Sequence, residues 1–82
     1  MGSGANQSAP AHTFLAVTPH DTTDIVHPAK ALYVGGAGNV VAINTAGNAI
    51  TFVGVTAGSV LPIRTTRVNN TSTTATNIVA LF

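Results

Sequence analysis

The sequence predicts an all-β domain: a small antiparallel sandwich or barrel of about six short strands, preceded by an extended N-terminal arm. Three observations favour this fold class. Short apolar runs recur at intervals of roughly ten residues, β-branched residues dominate them, and turn-forming residues separate them. No stretch keeps the period of about 3.6 residues that an amphipathic helix requires. The pattern is therefore typical of strands joined by turns.

Residues 1–13 form the predicted arm, and residues 14–82 form a single predicted β domain. After Met1, residues 2–11 are all Gly, Ser, Ala, Asn, Gln or Pro, a composition that buries too little apolar area to become ordered alone. We expect the arm to dock on another surface. The alternative interpretation is that residues 1–4 are a cloning remnant.

The predicted strands cover residues 12–18, 29–34, 39–44, 49–53, 60–68 and 77–82. Pro19 ends the first strand, and the loop that follows contains Asp21 and Asp24, whose side-chain oxygens favour turns. Residues 35–38 contain three glycines and predict a turn between the second and third strands. Residues 46–48 predict a tight hairpin, because Gly and Asn tolerate positive φ angles.

Two residues make these strand predictions more specific. Ile50 and Phe52 share one face of the fourth strand, with Thr51 on the other, so Phe52 is expected in the core. Pro62 removes one backbone donor from the fifth strand, which is therefore expected at a sheet edge or at a bulge. Arg64 and Arg67 lie three positions apart on this strand and are expected on opposite faces.

The surface is unusually poor in charge. Three basic and two acidic side chains are ionised at neutral pH among 82 residues, whereas about a quarter of the residues of a typical soluble domain are charged. A domain of this size buries only about 60 to 65% of its unfolded surface, and no cysteine is present to form a disulfide. The sequence therefore predicts an assembly subunit that is stabilised by oligomerisation.

The same composition argues against several function classes. Three basic side chains are too few for nucleic-acid binding, which requires several phosphate contacts. No apolar run approaches the roughly 20 residues of a membrane span, and residues 1–10 lack the features of a signal peptide. Ser59 and Ser72 have no identifiable base. We therefore expect no membrane partner, no enzymatic activity and no cofactor.

One cluster of metal-capable side chains is present, formed by His20, Asp21, Asp24 and His27. Imidazole and carboxylate groups bind zinc, manganese or nickel. These four residues lie in a predicted loop without the fixed spacing of a metal motif, so they remain weak candidates and no metal is predicted. The ordinary interpretation is a turn in which Asp21 accepts backbone donors from one of the two threonines that follow it.

Several segments occur in an order that resembles a known family. They are residues 18–23, 31–40, 50–52, 58–64, 67–68 and 73–81. In this order they resemble the spike base proteins of gene transfer agent heads and related tailed-phage genomes, over roughly residues 14–82. The resemblance implies a small β-structured protein on the outside of an icosahedral head, assembled as a ring at vertices and carrying a fibre.

We therefore expect a virion structural protein, made in the host bacterial cytoplasm and located on the outer surface of the head. A symmetric homo-oligomer would bind the major capsid protein and serve as the base for a head spike or a head fibre protein. Two alternatives stay open: a capsid cement protein that clamps capsomers, and a host-surface glycan-binding module. With so few charges, assembly is expected to be nearly insensitive to salt.

The residues expected at capsid or subunit interfaces are Ala9, Pro10, His12, Phe14, Arg64, Arg67 and Phe82. Of the two arginines, one is expected to pair with Asp21 or Asp24 within the domain. For the other, two interpretations stay open: an anchor across a subunit boundary, because a guanidinium group donates several directed hydrogen bonds at once, or a solvated charge at a strand edge.

Overall fold

A computed structural model describes residues 13–82, which form seven strands in two antiparallel sheets and contain no helix. The strands are β1 (Phe14–Val17), β2 (Ala31–Gly36), β3 (Gly38–Ile43), β4 (Ala49–Val55), β5 (Ser59–Leu61), β6 (Arg67–Val68) and β7 (Thr76–Leu81). The predicted all-β class is confirmed, and the sheets form an open sandwich, not a closed barrel. Accordingly, residues 13–82 offer no helix with the length and hydropathy to span a bilayer.

The four-stranded sheet has the strand order β1-β7-β2-β5, and the three-stranded sheet has the order β4-β3-β6. Residue Ala37 alone separates β2 from β3 and carries the chain from the first sheet to the second. The hairpin between β3 and β4 lies at residues 46–48, as predicted, with Gly47 at a φ of 89°. Strand β7 pairs with both β1 and β2, so the last strand in sequence lies inside the sheet.

Small aliphatic side chains from both sheets form the core. From the four-stranded sheet come Leu32, Val34, Ile78 and Ala80, and from the three-stranded sheet come Val40, Ala42 and Val68. None of these seven is more than 4% exposed, and each fully buried Val, Leu or Ile stabilises the fold by about 1.5 to 3 kcal/mol. Phe52 packs against this cluster but is only partly buried, so the prediction that it lies in the core is confirmed in part.

The predicted strand over residues 60–68 is wrong as a single element. Strand β5 ends at Leu61, immediately before Pro62, and β6 begins at Arg67 in the other sheet. Pro62 lacks the N–H that a continuing ladder would need, and β5 lies at the sheet edge that this proline indicated. Between the two strands, buried Thr65 forms a bridge with Ala29 and donates its hydroxyl hydrogen to the Ile43 carbonyl at 2.7 Å.

The glycines after Val34 were expected to form a turn, but Gly35 and Gly36 belong to β2. The neighbouring strand β7 explains why they are glycines. A Cβ atom on Gly35 would lie 2.9 Å from the Asn77 Cβ, and one on Gly36 would collide with the Thr76 hydroxyl. Their small size therefore permits the close approach of β7.

Candidate interface

The outward-facing side of the four-stranded sheet is apolar. Its side chains alternate with the core residues along each strand, and the register aligns them in two rows across the sheet. One row contains Phe14, Leu81 and Ala31, and the other contains Ala16, Val79, Tyr33 and Val60. We call these seven residues the outer face. None of them carries a charge, and Phe14, Val60 and Tyr33 are 65, 52 and 38% exposed.

This arrangement departs from the usual pattern of a sheet that has one face in water. Such sheets normally alternate apolar residues on the core side with polar residues on the solvent side. Here strand β2 places Leu32 and Val34 in the core while Ala31 and Tyr33 face outward. An uncharged apolar sheet face that is contiguous and exposed is a candidate surface for contact with another molecule.

The area of the outer face can be compared with the area that a stable protein interface buries. Four strands about 4.8 Å apart, with two rows of side chains, cover roughly 300 Å². A standard protein interface buries about 800 Å² on each partner. The outer face alone is smaller than such an interface, so a stable contact through it would require neighbouring segments as well.

Two of the metal-capable residues are engaged in separate hydrogen bonds. Asp21 accepts hydrogen bonds from the Thr71 hydroxyl at 2.6 Å and from the Thr71 N–H at 2.8 Å. The predicted turn centred on Asp21 is therefore wrong. Instead, the Nδ1 atom of His20 accepts the backbone N–H groups of Thr22 and Thr23, both at 3.2 Å. The single Nδ1 atom can accept both hydrogen bonds because both backbone amides lie within hydrogen-bonding distance of it.

The other two metal-capable residues also have partners elsewhere. Asp24 Oδ1 lies 2.9 Å from Arg67 Nη1 in an ion pair. His27 packs edge-on against Phe82, with 5.8 Å between ring centroids and an interplanar angle of 84°. Within residues 13–82, no three His, Cys, Asp or Glu side chains converge on a point where they could hold a metal ion.

One of the two arginines forms the ion pair within the domain that the sequence suggested. Arg67 pairs with Asp24 within the domain and also donates from its Nε to Asn69 Oδ1 at 3.0 Å. Arg64 lies in the connection between β5 and β6, not on a strand face as predicted. It is exposed and has no hydrogen bond or ion pair to any residue in the range 13–82. Arg64 is therefore the arginine that is available for an external contact.

The other predicted interface residues fall in three groups. Phe14 lies on the outer face. Phe82 packs partly buried against the core, and its N–H donates to the Thr13 carbonyl at 2.8 Å. Ala9, Pro10 and His12 lie outside the described residues. Sequence reasoning missed Tyr33, Val60, Val79 and Leu81, although strands that are apolar at both alternating positions already indicated two covered faces.

Fold and outer face together define a small all-β protein of the kind that contacts other proteins through an uncharged sheet surface. Among solved structures, the chain is similar to one from the capsid of a native gene transfer agent (GTA) particle computed with C5 symmetry. The two share 36% sequence identity and a TM-score of 0.84, over 93% of this chain and 88% of the other. No protein-family model and no curated protein matches the sequence.

With this identity and coverage, the chain belongs to the same family as that gene transfer agent capsid component. The resemblance that the sequence suggested is confirmed at the level of a gene transfer agent capsid protein. A role as the base of a head spike is more specific than this family relationship.

Proposed function

We propose that this chain is a virion structural protein that decorates the outside of an icosahedral, phage-like head. It acts without catalysis, as a symmetric homo-oligomer that binds the major capsid protein and serves as the base for a head spike or head fibre. The observation that carries the proposal is the outer face, an apolar sheet surface without any charge. Its relationship to a capsid component of a gene transfer agent supports the head as the location.

In the proposed mechanism, the outer face of each subunit is buried against a neighbouring subunit. Burial of apolar surface contributes about 25 cal/mol per Å², so roughly 300 Å² from each of two subunits contributes on the order of 15 kcal/mol before the entropic cost of association. The arm of residues 1–13 extends the contact by docking on a neighbouring subunit. Closed symmetric assembly limits the oligomer to a defined number of copies.

Copy number tests the function directly. In purified particles, quantitative mass spectrometry would compare this chain with the major capsid protein, and a density map would locate it. A spike base at vertices is expected at a few dozen copies for each head, on the order of the number of closed vertex assemblies. Some hundreds of copies spread across the lattice would indicate a cement protein. Absence from purified heads would overturn the proposal.

Salt dependence tests the proposed mechanism of self-association. Sedimentation at about 50 and about 500 mM salt should give nearly the same oligomer, because screening weakens charge pairs and leaves apolar contact intact. Dissociation that rises steeply over this range would show that charge pairs hold the subunits together, which contradicts the mechanism.

A further inference from the structure

Strand β4 is a free edge that is open to another strand. It has seven residues, Ala49–Val55, and within residues 13–82 it pairs only with β3, in the order β4-β3-β6. Proteins usually block such an edge with a lysine, a proline, a β-bulge or a covering segment. Strand β4 contains neither a charged residue nor a proline, and its pairing with β3 is regular from Ala49 to Phe52, before the register shift that precedes Val55. It therefore keeps the features of a template for strand addition.

The hairpin fixes which backbone groups point outward. Asn44 donates to the Asn48 carbonyl at 3.0 Å, and hydrogen-bonded pairs then alternate along the ladder. Ile50 and Phe52, opposite Ala42 and Val40, thus direct their backbone groups toward β3. The N–H and C=O groups of the alternate residues in the regular part of the ladder, Ala49 and Thr51, are directed away from the sheet.

Beside this edge lies an apolar cleft of about 320 Å³. The side chains of Ile50 and Phe52 line one wall, and Ile63 and Arg64 line the other. Ile50 is 52% exposed. A strand added to β4 would point alternate side chains into the cleft, on the same face as Ile50 and Phe52.

The charge at the cleft indicates the chemistry of the partner. Arg64 is exposed there without a counter-ion among residues 13–82. The sequence contains two acidic residues, Asp21 and Asp24, and these are held by Thr71 and Arg67. A side-chain carboxylate that paired with Arg64 would therefore have to come from another molecule.

We propose that β4 accepts an extended segment of a head protein as an additional strand. The segment inserts one apolar side chain into the cleft and places an Asp or Glu carboxylate against the Arg64 guanidinium, which can donate two parallel hydrogen bonds. The statement that this segment belongs to a head protein rests on the proposed function. The edge, the cleft and the unpaired arginine rest on the structure alone.

The first test measures binding to heads that were assembled without this protein. We expect Arg64→Gln to lower the affinity by about tenfold or more, because a charge-assisted pair is lost at a desolvated site. Arg64→Lys should be intermediate, since lysine lacks the planar fork. Ala57→Glu in the exposed β4–β5 turn is the matched control. It also lowers the net charge by one, and it should bind like the wild type.

The second test follows amide hydrogen exchange in β4. In the free oligomer, the Ala49 and Thr51 amides should exchange quickly, and binding to heads should slow both by about tenfold or more. Protection of these amides before heads are added would mean that a second copy occupies the edge, which overturns the inference.

The two proposals can fail separately. If the wild-type chain binds heads but Arg64→Gln binds equally well, or the β4 amides stay unprotected, the strand-addition inference is overturned and the head-surface function stands. If the wild-type chain does not bind heads at all, both are overturned. Circular dichroism of Arg64→Gln controls for folding, which should be intact because the side chain is exposed.

Discussion

Thr71 holds the carboxylate of Asp21 with two hydrogen bonds, 2.6 Å from its hydroxyl and 2.8 Å from its backbone N–H. These bonds tie the loop after β1 to the loop between β6 and β7, across 50 positions of sequence. Because both donors favour the charged carboxylate, they hold the pKa of Asp21 below its ordinary value of 3.8.

This contact predicts a specific pH dependence. A lowered folded-state pKa stabilises the fold above pH 3.8, and the contribution is lost as the pH falls through the folded-state pKa. Asp21→Asn should therefore unfold at a lower urea concentration than the wild type at pH 7. The difference should shrink progressively below about pH 4. Equal unfolding midpoints at pH 7 would contradict the role of this contact.

Substitution of Tyr33 tests the outer face. We expect Tyr33→Glu to weaken self-association by roughly tenfold or more, because burying an unpaired carboxylate is costly, while the folded domain is retained since Tyr33 is 38% exposed. Analytical ultracentrifugation measures the effect. Thr51→Glu places the same charge on an exposed strand position of the other sheet and should leave self-association unchanged. If Tyr33→Glu and Thr51→Glu self-associate equally well, the outer face is not the surface through which the subunits associate.

Gly38 lies where the chain passes between the sheets, and its replacement should be costly. A Cβ atom there would lie 2.5 Å from the Ala75 nitrogen and 2.7 Å from the Thr74 carbonyl carbon. Because these are backbone atoms, Gly38→Ala should cost about 1 to 3 kcal/mol in the free energy of unfolding.

Gly47→Ala provides the comparison for Gly38. Its Cβ would meet open space, and only the positive φ of 89° opposes the substitution. The expected cost is about 1 kcal/mol. Urea denaturation would show which of the two substitutions lowers the free energy of unfolding more. An equal or larger decrease for Gly47→Ala would show that the backbone moves to relieve the crowding at Gly38.

The buried hydroxyl of Thr65 should contribute measurably to stability. It donates to the Ile43 carbonyl at 2.7 Å, and that carbonyl also accepts the Thr66 N–H at 2.8 Å. Thr65→Val keeps the side-chain shape and should cost about 1 kcal/mol in the free energy of unfolding. Thr66→Val removes a longer contact, 3.3 Å to the same carbonyl, and should cost less in the same urea titration. A larger loss at Thr66 would contradict this order.

The all-β class and the β3–β4 hairpin could be predicted because they depend on local chemistry. Alternation and the Gly47 turn act within a few residues. The break after Leu61 was missed because apolar and β-branched residues continue on both sides of Pro62. The strand role of Gly35 was also missed, because the reason for this glycine is Asn77, a neighbour distant in sequence.

The candidate interface was predicted only in part for the same physical reason. Alternation shows which residues of one strand share a face, but the register decides which residues from other strands lie beside them. Phe14, which was expected at an interface, lies on the outer face beside Leu81. Tyr33 and Val60 form a cross-strand pair that only the pairing of β2 with β5 reveals.

The central position of β7 in its sheet determines when the domain can fold during its synthesis. Strands β1 and β2 do not pair with each other, because β7 lies between them and supplies Ile78 and Ala80 to the core. During translation, the four-stranded sheet cannot close until residues 76–81 have left the ribosome. Folding must therefore follow synthesis of the whole domain, and chains that terminate early expose their apolar strands to chaperones and proteases.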